Sequence, residues 1–249
     1  MSDTEKLMLN DRQDALGHFF YDYFTKKTGQ DIIERNDGYI DTDMGATFYF
    51  GEYKNWATAE RKAMKFARGR VLDIGCGAGR HSLYLQTKGL DVVGIDISPL
   101  AVEVCKLRGL RNTQVVPINQ LSSSLGIFDT VLMLGNNFGL FGSFKGAKRL
   151  LKRIGKITSD NARVIAGSND IYRTKDTAHL AYQESNRKRG RMSGQIRLRV
   201  RYEQYASPWF DYLMVSKDEM KNILDGTGWK VTKFIESSGS SYIAIIDKV

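Results

Sequence analysis

The chain has 249 residues, 42% hydrophobic and 26% charged, which excludes wholesale disorder and leaves enough apolar material for a core without disulfide or metal staples. The two cysteines, Cys76 and Cys105, form no CxxC or Cys/His ligand pattern, so no metal site is expected and a reducing compartment is. The net charge of +9 points to a polyanionic partner or an anionic substrate if the cations cluster, and to a solvated surface if they do not.

The opening residues, Met1 to Lys6, carry no apolar signal-peptide core, and no run of about eighteen apolar residues follows, so a soluble, cytoplasmic protein is expected. Residues 1–68 read as a largely helical N-terminal cap. Leu16, Phe19, Phe20, Tyr23 and Phe24 recur at helical spacing, turns follow at Asp37-Gly38 and Asp43-Met-Gly45, and a second helical pattern runs from Trp56 to Ala67. From Arg70 the pattern alternates between strand and helix. Strands are expected at Val71–Ile74, Asp91–Asp96, Gln114–Pro117, Phe128–Leu134 and Arg163–Gly167, with helices between them, one opened by Ser98-Pro99 and one spanning Phe144 to Ile157. This order argues for an α/β fold, a doubly wound and mostly parallel sheet with helices on both faces.

Residues 170–207 interrupt the alternation and are read as an inserted lid. Within them Ile196, Leu198 and Val200 alternate with Arg197, Arg199 and Arg201, a strand with one basic face. The chain closes with a capping box, Ser216-Lys-Asp-Glu219, a helix, and two strands, Trp229–Ile235 and Tyr242–Ile246. The six residues between these strands cannot hold a parallel crossover, so the pair is expected to be an antiparallel hairpin. The whole is taken as one domain: 1–68 cap, 69–169 cofactor-binding core, 170–207 insertion, 208–249 C-terminal helix and hairpin.

The chemistry concentrates at Asp73-Ile-Gly75-Cys-Gly77-Ala-Gly79, between a strand and a helix, where glycines allow a sharp turn and close ligand approach. The spacing is GxGxG with Arg80 next, not the dinucleotide GxGxxG, and no Lys-Ser/Thr makes it a P-loop. Asp73 before the loop would repel a pyrophosphate but suits a ligand carrying an ammonium and a sulfonium. Asp96 ends the second strand, twenty-one residues after Gly75, where a carboxylate accepts from both ribose hydroxyls.

Val71-Leu-Asp-Ile-Gly-Cys-Gly-Ala-Gly-Arg80, with Gly94-Ile-Asp96-Ile-Ser and Phe128-Asp129-Thr-Val-Leu, resembles the class I (Rossmann-like) S-adenosylmethionine-dependent methyltransferase family over roughly residues 65–168. The resemblance implies a seven-stranded sheet with an antiparallel last strand, S-adenosylmethionine as cofactor, and no metal. Gly75, Gly77 and Gly79 would line the cofactor, Asp73 would sit beneath its methionine part, Asp96 would hold the ribose and Ile97 would pack on adenine. The family often has an Asp after the third strand; here Asn119 stands in that stretch and would serve through its carbonyl oxygen. Leu134, Asn136 and Asn137, after the fourth strand, fall where the family places residues beside the transferring methyl.

Methyl transfer from a sulfonium is an in-line displacement whose donor carries its own activation, so the protein supplies mainly alignment and exclusion of water. Acceptor-side candidates are Asn136, Asn137, Tyr49, Phe50 and Trp56; the aromatics would form a box for a cationic amine, or simply core. His81, Cys76 and Cys105 are read as packing residues. A small-molecule acceptor is the favoured reading. RNA or a protein is the alternative, because Arg187 to Arg201 holds seven Lys/Arg and no acid. A non-catalytic S-adenosylmethionine- or nucleic-acid-binding module is the third reading.

Overall fold

The computed structural model describes residues 8–42 and 45–249; the turn expected at 43–45 falls in part outside them. In chain order the elements are α1 (Ala15–Lys26), β1 (Ile32–Arg35), β2 (Ile40–Asp41), α2 (Gly45–Phe50), α3 (Thr58–Met64), β3 (Val71–Ile74), α4 (Arg80–Thr87), β4 (Val92–Asp96) and α5 (Pro99–Leu107). They continue with β5 (Asn112–Val115), β6 (Phe128–Met133), α6 (Phe144–Gly155), β7 (Thr158–Asn169), α7 (Thr177–Lys188), β8 (Gln195–Tyr202), β9 (Tyr205–Ala206), β10 (Phe210–Leu213), α8 (Lys217–Leu224), β11 (Trp229–Glu236) and β12 (Ser241–Lys248).

Seven strands form one sheet in the order β5-β4-β3-β6-β7-β12-β11. The first five are parallel. β12 runs antiparallel to β7, and β11 and β12 make the expected hairpin, in register from Trp229↔Lys248 to Glu236↔Tyr242. Buried on both faces, β3 reads as Val-Leu-Asp-Ile with every residue buried, its one polar member being Asp73. A second sheet has the order β10-β8-β1-β2, with β9 on β8.

The chain divides into two compact units. One comprises the residues up to Trp56, Leu72–Leu121 and Leu198–Trp209; the other comprises Ala57–Val71, Ser122–Arg197 and Phe210–Val249. In the first, α1 packs on α5, and Asp14 explains how. Its Oδ1 accepts from Gly17 N at 3.1 Å, capping α1, while its Oδ2 accepts from Leu100 N at 3.0 Å in the first turn of α5. One buried carboxylate thus satisfies free N–H groups of two helices. In the second unit the box at Ser216 and Glu219 caps α8 reciprocally, as the sequence pattern requires. There α6 buries Ala147, Leu150, Leu151 and Ile154 and turns Lys145, Arg149 and Lys152 to solvent.

The N-terminal region departs from the helical expectation. Ile32–Arg35 is a strand paired antiparallel with β8, from Ile32↔Arg201 to Arg35↔Leu198, and with β2. Four residues, Ile-Ile-Glu-Arg, are too few to show a period, and their extended form is set by a partner far along the chain. The helix expected from Trp56 to Ala67 is limited to Thr58–Met64, after a single 3-10 turn at Tyr53–Asn55. The third core strand ends at Val115, before Pro117, which has no N–H for a ladder. The fifth lengthens to Thr158–Asn169 because β12 covers its full edge. In the insertion β8 has the expected alternation, with Leu198, Val200 and Tyr202 buried and Arg197 and Arg201 exposed.

Replacing Asp14 by Ala leaves two N–H groups without acceptors and should destabilise the protein by about 2 kcal/mol or more. Urea unfolding followed by circular dichroism measures it; a loss below about 0.5 kcal/mol would mean that the carboxylate joins nothing of consequence.

Candidate functional site

The glycine loop between β3 and α4 lies wholly in the first unit. Gly75, Gly77 and Gly79 all have positive φ, +69°, +54° and +81°, a region that side-chain-bearing residues avoid. Gly75 N and Cys76 N both donate to Ile95 O of β4, at 2.9 and 3.0 Å, which ties the loop to the next strand. Gly77 N donates to Asp96 Oδ2 at 2.9 Å, and Ser98 N donates to Asp96 Oδ1 at 3.0 Å. Burial pushes the Asp96 carboxyl up to about 6, against the pull of the Ser98 and Gly77 N–H groups and with the nearby Asp14 charge adding to it.

Asp73 is buried, and its Oδ2 accepts from Ser82 Oγ at 2.7 Å. Burial raises its carboxyl; the charges of His81 and Arg80 and the Ser82 hydroxyl act the other way. Ile97, beside Asp96, is 41% exposed, unusual for an isoleucine in this core and suited to a flat apolar ligand. After β5, Val116 N donates to Asp96 O at 2.9 Å, and Asn119 and Gln120 follow in a single 3-10 turn. Asn119 is exposed, whereas Gln120 Nε2 is buried with no hydrogen-bond partner. That orphaned donor, which the spacing argument passed over in favour of Asn119, suits a heterocyclic acceptor. The structure therefore brings Asp73, the three glycines, Asp96 and Ile97 together at one loop, with Asn119 and Gln120 following β5.

The aromatic candidates do not form an open box. Trp56 is buried, donates from Nε1 to Gly51 O at 2.7 Å, and packs on His81 and Tyr84. The cation over Phe48 and Trp56 is the chain's own Arg80, at 4.6 and 5.4 Å, and the one over Phe50 is Arg108, at 4.9 Å. Tyr49 packs against Phe19, Phe20 and Phe48, and its hydroxyl donates to Asp31 Oδ2 at 3.3 Å. Phe20, on which it packs, lays its ring on Gly77 of the glycine loop. Cys76 and Cys105 are both buried with Sγ atoms 3.9 Å apart, and Cys105 Sγ donates to Gly77 O at 3.1 Å, a packing role under the loop.

Leu134, Asn136 and Asn137 lie in the second unit, just past β6. Leu134 is buried. Asn136 has φ +65°, one of three described non-glycine residues with positive φ, and Asn137 opens a 3-10 turn to Phe141. Tyr212 Oη donates to Asn136 O at 2.6 Å, and β7 leaves room for the turn because Gly167 has no Cβ, which would stand 3.3 Å from Asn136 N. Neither Tyr212 nor the adjacent Asp211 was visible as a site residue in the sequence.

Most cations of the basic insertion are ion-paired. Arg199 grips Glu34 with two bonds of 2.8 and 3.0 Å, and Arg201 reaches the same carboxylate at 3.4 Å. Lys188 pairs with Glu184 at 2.8 Å, and Arg191 and Arg197 meet Asp211 at 3.1 and 3.4 Å. Among the described residues no group of three His, Cys, Asp or Glu side chains is placed to hold a metal ion, and no helix is long and apolar enough to cross a membrane.

Residues 71–159 match the family model described as a methyltransferase domain. A SAM-dependent methyltransferase of Bacteroides fragilis, crystallised with S-adenosyl-L-homocysteine, superposes with a TM-score of 0.82 at 26% identity, over 97% of this chain and 98% of that one. A SAM-dependent methyltransferase of Methanosarcina mazei, at 19% identity and a TM-score of 0.58 over 74% of this chain and 95% of that one, shares the fold. In sequence the chain is 32% identical to the magnesium-protoporphyrin O-methyltransferase of Rhodobacter capsulatus over 36% of this chain and 41% of that protein. It is 35% identical to the ubiquinone biosynthesis O-methyltransferase of Bordetella avium over 25% and 28%. The alignments thus span well under half the length of these curated relatives.

Gly79 and Gly89 separate backbone strain from steric conflict. Both have φ near +80°, but a Cβ at Gly79 would meet Cys105 Sγ at 2.9 Å, whereas at Gly89 nothing lies within 4 Å. Gly89→Ala should cost about 1 kcal/mol and Gly79→Ala clearly more, with Cys105→Ala recovering the difference. Equal losses in thermal unfolding would mean that the sulfur does not confine the loop.

Proposed function

We propose that this chain, which its residues 71–159 and its sheet place in the class I S-adenosylmethionine-dependent methyltransferase family, transfers a methyl group from S-adenosylmethionine to a small-molecule acceptor. The observation that carries the cofactor reading is Asp96, held at the end of β4 by two neutral N–H groups with its charge uncompensated beside a glycine loop. S-adenosylmethionine supplies an activated methyl on its sulfonium. In this reading the protein's residues bind and orient it: the ribose hydroxyls donate to Asp96, the backbone at Gly75, Gly77 and Gly79 admits the chain of the ligand closely, and buried Asp73 supplies negative potential beneath its cationic part. Ile97 covers adenine, and Asn119 or the orphaned amide of Gln120 meets its edge. Leu134, Asn136, Asn137 and Tyr49 are assigned to the methyl and acceptor side.

Two features favour a small acceptor over RNA or protein. Of the seven cations between Arg187 and Arg201, five are paired with Glu34, Glu184 or Asp211, so the run is not a free phosphate-binding face. Of the relatives named above, two are O-methyltransferases, and the one whose name gives its substrate, magnesium-protoporphyrin, acts on a small molecule.

Calorimetry with S-adenosylmethionine, S-adenosylhomocysteine and NAD tests the donor site. Both adenosyl compounds should bind and NAD should not, and Asp96→Ala should weaken binding about 100-fold or more. Because ribose hydroxyls donate to the ionised carboxylate, affinity for S-adenosylhomocysteine should fall as pH drops below about 6, by up to about tenfold per unit, and level off above 7. Binding of NAD alone would sink the reading, and affinity flat from pH 5 to 7 would remove Asp96 from it. Turnover of any acceptor excludes the non-catalytic module.

A further inference from the structure

Asp211 stands on β10 and carries more positive charge than it can cancel. Its Oδ1 accepts from Arg191 Nη2 at 3.1 Å and from Arg197 Nη1 at 3.4 Å, and its Oδ2 accepts from Gln195 Nε2 at 3.2 Å. Two guanidinium groups on one carboxylate leave a net charge of one positive unit. Each arginine spends a single nitrogen here, which leaves most of a five-donor fork unspent. The side chains are open to solvent in part, at 24% for Arg191 and 44% for Arg197.

The cluster is joined to the acceptor-side turn within the same unit. Tyr212, next to Asp211, donates to Asn136 O, and its ring lies directly on Gly139, where any Cβ would collide with it. Gly142 closes the same turn against Asp211, whose carbonyl oxygen a Cβ there would approach to 3.2 Å. Glycines at 139 and 142 therefore let β10, which carries Asp211, lie flush along the turn that begins at Asn137. Phe210 and Tyr212 supply edge-to-face rings on the same strand.

We infer that Arg191 and Arg197, braced by Asp211 and Gln195, form an anion subsite that takes a carboxylate group of the methyl acceptor. A planar carboxylate matches the guanidinium fork through paired N–H bonds, and the excess positive charge rejects an amine in the same place. The inference rests on the methyltransferase reading for what it serves, but not for whether it binds an anion.

The test titrates benzoate, benzylamine and benzyl alcohol into the protein saturated with S-adenosylhomocysteine, following arginine side-chain NMR signals. Benzoate should shift the Arg191 and Arg197 signals saturably, while the amine and the alcohol should not. Arg197→Gln, which keeps the Arg191–Asp211 pair, should weaken benzoate about tenfold or more and leave S-adenosylhomocysteine affinity within twofold. Arg199→Gln, which removes the pair with Glu34 and the contact with the Trp209 ring but touches nothing at Asp211, should change neither. Absence of benzoate binding, equal response to benzylamine, or no effect of Arg197→Gln overturns the subsite. A purely structural clamp would show as a lowered unfolding temperature in Arg197→Gln with no anion response, and that also overturns it. Failure of S-adenosylhomocysteine to bind would instead strike the methyltransferase reading, and the benzoate titration on the unliganded protein would still decide the subsite.

Discussion

Backbone N–H groups converge on Ile95 O and the Asp96 carboxylate at the end of β4, and the shape of the glycine loop depends on that convergence. Ile95 O takes Gly75 and Cys76, and the Asp96 carboxylate takes Gly77 and Ser98. An arginine would also have fixed the carboxylate, but it would have cancelled its charge. Neutral donors fix it and leave the charge to act on whatever lies in front. The cost is a carboxyl whose ionisation is held back by burial, with Asp14, the carboxylate that joins α1 to α5, adding to the effect. Packing of the N-terminal helix and the electrostatics of the loop are therefore one problem.

What the sequence made legible were features whose cause is local. The glycine loop, the Ser98 and Ser216 caps and the six-residue link of the last hairpin each follow from a few adjacent residues, and each stands where the pattern put it. The seven-stranded sheet follows from a sum of such features. Features caused at a distance were hidden. Ile32–Arg35 is a strand because β8 pairs with it, and Asp211 is the hub of a charge cluster because two arginines from another strand and a loop find it. Gln120 beside Asn119 shows the same limit, since a linear pattern cannot tell which of two neighbouring amides is buried without a partner.

The same distinction governs the charge. As a string, Arg187 to Arg201 is a run of cations without an acid; folded, it is two clusters around Glu34 and Asp211, acids contributed from outside the run. Both clusters set two guanidinium groups against one carboxylate; around Glu34 one of them is held by two bonds, whereas around Asp211 each is held by one. On α6, Lys145, Arg149 and Lys152 share the solvent face while the apolar face is spent on the core. A face built of separate, hydrated side chains repels its own members and favours solubility.

Aromatic residues in the N-terminal segment suggest a cage for a cation, and the structure explains why no free cage results. Arg80 and Arg108 already occupy the faces of Phe48, Trp56 and Phe50, and both arginines belong to the elements that carry the glycine loop, Arg80 opening α4 and Arg108 ending α5 with a bond to Ala78 O. The rings thus hold the loop in place from outside by satisfying cations that would otherwise be costly in a half-buried setting. An acceptor cannot use the same faces without displacing them.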